Sequence, residues 1–156
     1  MRKDFGPLMG LYGETLFITA GVTHLSKRWV KRTRPFIFNE NVPLEKKLGK
    51  DAQYSFFSGH TSITAATTFF TAKVFSDYFP ESKWKCAVWT GAVTIPAAVA
   101  YFRVRNGRHF PTDVIAGYGM GAFFGYIIPH LHKKTNSERF TIAPTPAGFA
   151  LAWNFQ

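Results

Sequence analysis

Long apolar stretches alternate with short polar ones along this chain, and strand-like alternation is almost absent from the long stretches. Apolar residues that continue over about twenty positions indicate helices, since strands seldom exceed about ten residues. We therefore predict four long helices, over residues 5–26, 58–79, 84–102 and 111–132. The predicted fold class is all-α, a helical bundle.

The last two predicted helices contain the longest uncharged runs. Residues 86–102 and 114–131 carry no Asp, Glu, Lys or Arg, and their length lies at the lower edge of what crosses a bilayer. Glycines at 117, 121 and 125 recur every fourth position, a spacing that allows close packing between membrane helices. A membrane-embedded bundle is favoured. The first two helices carry charged residues, so a soluble bundle stays open.

Two segments interrupt the helical pattern. Residues 31–53 are polar and contain Pro and Gly, which indicates a loop between the first and second helices. From 149 to 155 aromatic or large apolar residues alternate with smaller or polar ones after a turn-rich stretch, which predicts a short hairpin. We expect one domain over 1–156, with 135–156 as its tail.

The charge of the chain is strongly basic and local. Its 156 residues include 19 Lys and Arg against 9 Asp and Glu, a formal net charge of +10. Eight of these cations fall between residues 27 and 50. Such a cluster attracts phosphate-bearing partners, whether nucleic acid, lipid or small phosphoesters. Cys86 is the only cysteine, so an intramolecular disulfide and a cysteine-based zinc site are both excluded.

A histidine and an aspartate stand at the start of the fourth predicted helix. Pro111 suits the first helical position, and Asp113 then lies in the first turn, four residues after His109. A carboxylate that holds one imidazole nitrogen makes the other a better nucleophile or base. Taken alone, the pair is better explained by an Asp that complements the helix dipole beside a surface His.

The second predicted helix begins with Ser58, Gly59 and His60. Ser58 can cap this helix, so that its hydroxyl and the first backbone N–H groups converge on one locus that suits a phosphate. Gly59 lets the backbone approach an anion closely, and His60 can give a proton to a leaving oxygen. An ordinary helix start would show the same three residues.

The first predicted helix is followed by a basic stretch. Lys27 and Arg34 are seven residues apart, so they share a helix face if the helix continues that far before Pro35. With Arg103 they can neutralise a phosphoryl group and its transition state. A solvated basic face is the alternative.

Taken together, the three stretches resemble the signature of the type-2 phosphatidic-acid phosphatase family. That signature is Lys, six residues, Arg-Pro; then Pro-Ser-Gly-His; then Ser-Arg, five residues, His, three residues, Asp. The order and spacing agree over residues 27–113. Two positions depart, because Phe57 replaces the family's Pro and Phe102 replaces its Ser. The matching residues are Lys27, Arg34, Pro35, Ser58, Gly59, His60, Arg103, His109 and Asp113.

The resemblance implies a metal-independent phosphatase without a cofactor. His109 would attack phosphorus and form a phosphohistidine, Asp113 would support it, His60 would protonate the leaving alkoxide, and water would hydrolyse the intermediate. No metal ligand is expected. The residues expected to bind the phosphoryl oxygens are Lys27, Arg34, Ser58, Gly59 and Arg103.

The resemblance also implies a phosphorylated lipid as the substrate and a membrane as the setting. We expect the bacterial inner membrane with a periplasm-facing site, and not nucleic acid as a partner. A soluble periplasmic acid phosphatase, a vanadate-dependent haloperoxidase and a non-enzymatic binder of anionic lipid are the alternatives. Membrane members typically have six spans, whereas this chain offers at most four. The oligomeric state is left open.

Overall fold

A computed structural model of the protein describes residues 5–133 and two later strands. Within these residues four long helices form a bundle, as the apolar pattern predicts. They are α1 (Phe5–Val30), α3 (Gly59–Tyr78), α4 (Lys85–Arg105) and α5 (Pro111–Leu131), and a short α2 (Leu44–Lys47) lies in the loop after α1. The same loop contains two 3-10 turns, Pro35–Phe38 and Lys50–Gln53.

Helix α1 runs four residues beyond its predicted end. It stops where Lys31 takes a left-handed conformation with φ of 43°, and the Lys31 N–H donates to the carbonyl of Lys27 at 3.1 Å. This is an αL ending of a kind usually made by Gly. The chain therefore leaves the helix before it reaches Arg34, which is extended.

The bundle is organised around α3, which packs against α1, α4 and α5. The tightest approach is between α3 and α5, where glycines of α5 lie against the backbone of α3. A Cβ placed on Gly121 would stand 2.1 Å from the carbonyl oxygen of Ser62, and one on Gly125 would stand 2.4 Å from that of Ala66. The four-residue glycine spacing thus does what the sequence predicts, since only a residue without Cβ fits there.

A stripe of threonines joins α1 to α3. Thr15, Thr19 and Thr23 are buried, and each hydroxyl donates to the carbonyl four residues earlier, at 2.7 to 2.9 Å. These polar groups are therefore satisfied inside the bundle. Thr23 also shares a hydrogen bond with Ser62 of α3 at 3.1 Å, so the two helices are fixed close to the end at which α3 begins.

Two helices, α4 and α5, are long and apolar enough to cross a membrane by length and composition. Within α4, only 11% of the 18-residue apolar stretch that could span a membrane is buried in the bundle. Most of the apolar surface of this helix therefore faces outward. Trp84 at one end of α4 and Tyr101 towards the other are both exposed, an arrangement typical of aromatic residues at the two membrane interfaces.

The predicted hairpin is present after the bundle. Strand β1 (Phe140–Thr145) pairs antiparallel with β2 (Gly148–Trp153), with Thr145 opposite Gly148. The predicted alternation extends to Phe155, which lies outside the described residues.

Candidate phosphate-binding site

The predicted site residues meet at one end of the bundle, where α1 and α4 end and α3 and α5 begin. Five of them line a single cavity of about 520 Å³, together with residues that the sequence did not single out for chemistry. The predicted lining residues are Lys27, Arg34, Gly59, His60 and His109, and the additional ones include His24, Asp51 and Thr64.

The two cations from the first stretch reach the cavity by different routes. Lys27 projects from the last turns of α1, and its Nζ donates to the carbonyl of Tyr54 at 2.9 Å. Arg34 arrives on the loop, where its backbone N–H donates to the carbonyl of Ala52 at 2.8 Å. The two residues do not share one helix face, because α1 ends at Val30 and the condition for that arrangement is not met. Their convergence comes from the fold of the loop.

Arg34 is buried, with 8% of its surface exposed. Its Nη2 donates to Oδ1 of Asp51 at 2.6 Å, whereas its Nε has no hydrogen-bond partner within the described residues. A buried donor without an acceptor costs free energy that an oxyanion would recover. The ion pair with Asp51 therefore leaves other donors of the guanidinium available to a ligand.

His109 lies deep in the cavity wall and is only 3% exposed. Its Nδ1 has no hydrogen-bond partner among the residues that the structure describes. Burial, followed by the charges of Arg34 and Lys27, lowers the pKa of His109 to about 4, against a weaker opposing effect of the Ser55 backbone and Asp113. At neutral pH the ring is therefore uncharged, the form in which a nitrogen lone pair can act as a nucleophile.

Asp113 is fully buried and serves as a hub of contacts. Its Oδ1 accepts from Nη1 of Arg32 at 2.7 Å, and its Oδ2 accepts from the Ser55 hydroxyl and from the Phe110 N–H, the latter at 2.9 Å. The distance from Oδ2 to Nδ1 of His109 is 3.7 Å, longer than a hydrogen bond. The predicted dyad is therefore close in space, but Asp113 mainly ties together three chain segments.

Arg32 and Ser55 are site residues that sequence reasoning missed. Arg32 contacts Asp113, donates to the Thr112 hydroxyl at 2.7 Å and places its guanidinium 4.2 Å from the centroid of the Phe110 ring. It thus holds the loop after α1 against the start of α5. A basic run gives no signal of which cation turns inward, and an isolated serine gives none at all.

Ser58 acts as the cap of α3. Its hydroxyl shares a 2.9 Å hydrogen bond with the Thr61 hydroxyl and accepts from the Thr61 N–H at 3.4 Å, and Ser58 is fully buried. The cavity at this point is lined by Gly59 and His60. The start of α3, with the positive end of its dipole, therefore borders the cavity.

The remaining motif positions lie beside the cavity. Arg103 lies in the last turn of α4 and is not among the residues that line the cavity. Phe57, where the motif has Pro, is buried and would be 3.4 Å from a Cβ on Gly117. Phe102, where the motif has Ser, is 56% exposed and packs edge-to-face against Tyr101. Neither phenylalanine lines the cavity.

The cavity thus combines inward-facing cations, the N-terminus of a long helix and an uncharged buried histidine. Cations and a helix N-terminus are groups suited to an anion, and a neutral imidazole beside them is suited to act as a nucleophile. In a helical bundle this set of groups is typical of a protein that acts on phosphate esters. The sequence model of the PAP2 superfamily matches residues 9–137, and the chain belongs to that superfamily.

Several known proteins are similar to this chain in sequence. The chain is 33% identical to a lipid A 1-phosphatase of Rhizobium etli over 142 residues, which cover 87% of this chain and 55% of that protein. It is 30% identical to phosphatidylglycerophosphatase B of Bacillus subtilis over 114 residues, 72% of this chain and 52% of that one. The chain spans about half the length of the curated relatives it matches.

A solved structure has the same fold. The crystal structure of a transmembrane PAP2-type phosphatidylglycerolphosphate phosphatase from Bacillus subtilis superimposes with a TM-score of 0.62 at 26% identity, covering 87% of this chain and 62% of that one. Together with the two apolar helices that are long enough to cross a bilayer, this likeness supports a membrane-embedded bundle.

Proposed function

We propose that this protein hydrolyses a phosphate monoester or pyrophosphate of a lipid through a covalent phosphohistidine on His109. The single observation that carries the proposal is the position of this buried histidine in the wall of a cationic cavity. The unpartnered Nε of Arg34 in the same cavity supports it, since phosphate oxygens are the acceptors that a guanidinium binds best.

The proposed first step is attack by His109 on phosphorus. Nδ1 is buried on the side of Ser55 and Asp113, so Nε2 is the nitrogen left to the cavity. Nε2 donates its lone pair to phosphorus as the bond to the leaving oxygen breaks. Lys27, Arg34 and Arg103 offset the charge on the phosphoryl oxygens, with the N-terminus of α3 beside them.

The second role belongs to His60, which gives its proton to the departing alkoxide. His60 sits in the first turn of α3 and is exposed to the cavity. A bound phosphate dianion favours the protonated imidazole, because opposite charges stabilise each other at short range. Water, deprotonated by the now neutral His60, then attacks the phosphohistidine and releases inorganic phosphate and free His109.

A lipid is the proposed substrate because the site lies at the end of a membrane-embedded bundle. The relatives are named for lipid A and phosphatidylglycerophosphate, and the cavity continues along α1 and α3 past Ala20 and Ile63. Small and apolar side chains there suit the part of a lipid next to its phosphate.

The test is phosphate release from detergent-solubilised protein in EDTA, with phosphatidic acid and para-nitrophenyl phosphate as substrates. We expect turnover that vanadate inhibits and that His109→Ala abolishes. His130→Ala removes a histidine at the far end of α5 and should leave activity unchanged. A phosphoryl label that is stable in base and labile in acid should appear on the wild type but not on His109→Ala. Full activity in His109→Ala would reject the mechanism.

We also propose that the site faces the periplasm, the orientation that the resemblance to the family implies. Cys86, at the end of α4 away from the site, is exposed, so a membrane-impermeant maleimide should label it in bacterial cells only after permeabilisation. In a Cys86→Ser background, Asn41→Cys in the site-end loop should be labelled in intact cells. The reverse pattern would place the site in the cytoplasm, the side that the abundance of Lys and Arg at this end favours.

A further inference from the structure

A second basic cavity lies beside the proposed active site. It has a volume of about 350 Å³ and is formed where the loop after α1 meets the turn between α4 and α5. Three cationic side chains line it, from Lys46, Arg105 and Arg108, and Asn39 and Asn106 add amide groups. Among residues 5–133 no carboxylate belongs to its lining.

The charges of this cavity are largely uncompensated. Lys46 and Arg105 make no ion pair with a carboxylate within residues 5–133. Arg108 is placed over the Phe36 ring, 5.7 Å from its centroid, and its Nη1 is 3.9 Å from Oδ2 of Asp51, too far for a hydrogen bond. Three cations that converge on a concave surface repel one another, and a bound anion relieves this repulsion.

The two cavities share a wall one backbone layer thick. Two chain segments form this wall, one from Arg34 to Phe36 and the other from Gly107 to His109. A 3.0 Å hydrogen bond from the Phe36 N–H to the Gly107 carbonyl joins them. Gly107 has φ of 63°, a conformation that lets this tight turn form. Arg108 directly precedes the proposed nucleophile His109, so their Cα atoms are about 3.8 Å apart.

We propose that this second cavity binds a phosphate group other than the one being hydrolysed. Lys46, Arg105 and Arg108 are its ligands, as a point charge and two forked donors that suit phosphate oxygens. The inference rests on the proposed function and deepens it. The bound phosphate belongs either to the substrate itself, as a second phosphate a short linker away, or to the head group of a neighbouring lipid.

The test uses two lipids with the same acyl chains in neutral detergent micelles. Phosphatidylglycerophosphate carries a phosphodiester besides its terminal monoester, whereas phosphatidic acid carries the monoester alone. The variant Lys46→Gln/Arg105→Gln removes two exposed charges from the cavity. The matched control Lys47→Gln/Lys50→Gln removes two charges from the same loop outside the cavity lining.

We expect the cavity variant to lower kcat/KM for phosphatidylglycerophosphate about tenfold through KM, because two charge-assisted contacts are lost, while phosphatidic acid changes less than about twofold. That result assigns the bound phosphate to the substrate. The same rates are also measured in vesicles with and without phosphatidylglycerol. If the cavity variant loses turnover of both lipids only in vesicles that contain phosphatidylglycerol, the cavity binds the head group of a neighbouring lipid. Equal effects of the cavity and control variants, or no effect, overturn the proposal.

Binding to a variant without turnover separates this proposal from the proposed function. The Kd of phosphatidylglycerophosphate is measured with His109→Ala, with and without the two cavity substitutions. Binding that weakens about tenfold supports the second site even if the wild type releases no phosphate. An unchanged Kd, with an active wild type, rejects the second site and leaves the phosphatase standing.

Discussion

Nδ1 of His109 lies 3.7 Å from Oδ2 of Asp113, although the two residues are only four positions apart in the sequence and both are buried. The carboxylate is occupied by Arg32, by the Ser55 hydroxyl and by the Phe110 N–H. Asp113 therefore holds the walls of the cavity together while it stands beside the ring. Its effect on His109 is electrostatic and positional in this state.

Replacing Asp113 tests that double role. In Asp113→Asn the amide nitrogen cannot accept from Ser55 and Phe110, and the Arg32 guanidinium loses its anion. We expect kcat on phosphatidic acid to fall roughly a hundredfold or more, with a loss of about 2 kcal/mol in stability. Ser55→Ala keeps the carboxylate charge of Asp113, and it should lower both kcat and stability by less than Asp113→Asn does. Thermal melting and initial rates in detergent measure the effects, and equal activity of Asp113→Asn and wild type would contradict them.

The pH dependence of activity should report His109. Because the pKa of His109 is lowered to about 4, the neutral nucleophile persists well below the usual titration range of histidine. Protonation removes the neutral form of His109 only as the pH falls through this pKa. We expect the acid limb of kcat/KM for this group near pH 4, measured with para-nitrophenyl phosphate. A limb near pH 6.5 would show that burial does not control the ring.

Arg32→Gln should move this limb to higher pH. Without the guanidinium the charge of Asp113 is less compensated, so Asp113 stabilises protonated His109 more strongly. We expect the acid limb to move by about one pH unit. Arg28→Gln removes an exposed cation of α1 and serves as the control. A lower rate with an unmoved limb would show that Arg32 acts only through the structure.

We expect Asp51 to compete with phosphate for Arg34. Its carboxylate lies at the rim of the cavity, where the side chain is 66% exposed. Its Oδ1 is 2.6 Å from Nη2 of Arg34. Asp51→Asn should therefore bind inorganic phosphate roughly threefold more tightly, measured as a competitive inhibition constant. Glu45→Gln changes the same charge in the same loop and should have little effect. Weaker inhibition in Asp51→Asn would mean that Asp51 orients Arg34 for the ligand.

The contact between α3 and α5 should be intolerant of a single methyl group. A Cβ on Gly121 would overlap the Ser62 carbonyl and the Ala65 side chain, so we expect Gly121→Ala to lose about 1–3 kcal/mol of stability and to melt at a lower temperature. Gly119→Ala adds the same methyl where nothing lies within 4 Å. Identical melting of the two variants would show that α5 is not packed as described.

The apolar pattern was sufficient for the four long helices, because their periodicity and length are local properties. Motif spacing was sufficient to group Lys27, Gly59, His60 and His109 at one end of a bundle, since each lies at a helix end. The hairpin followed from alternation after a turn-rich stretch. These features depend on residues within one element, and the sequence carries them directly.

Contacts between elements were decided only by the tertiary structure. Arg34 reaches the cavity through a loop that hydrogen-bonds to Ala52, and not along the face of α1 as its spacing suggested. Arg32 and Ser55 meet Asp113 from 81 and 58 residues away, a relation that no local pattern encodes. A helix propensity is set by neighbouring residues, whereas the partner of a buried charge depends on which distant segments the bundle brings against it.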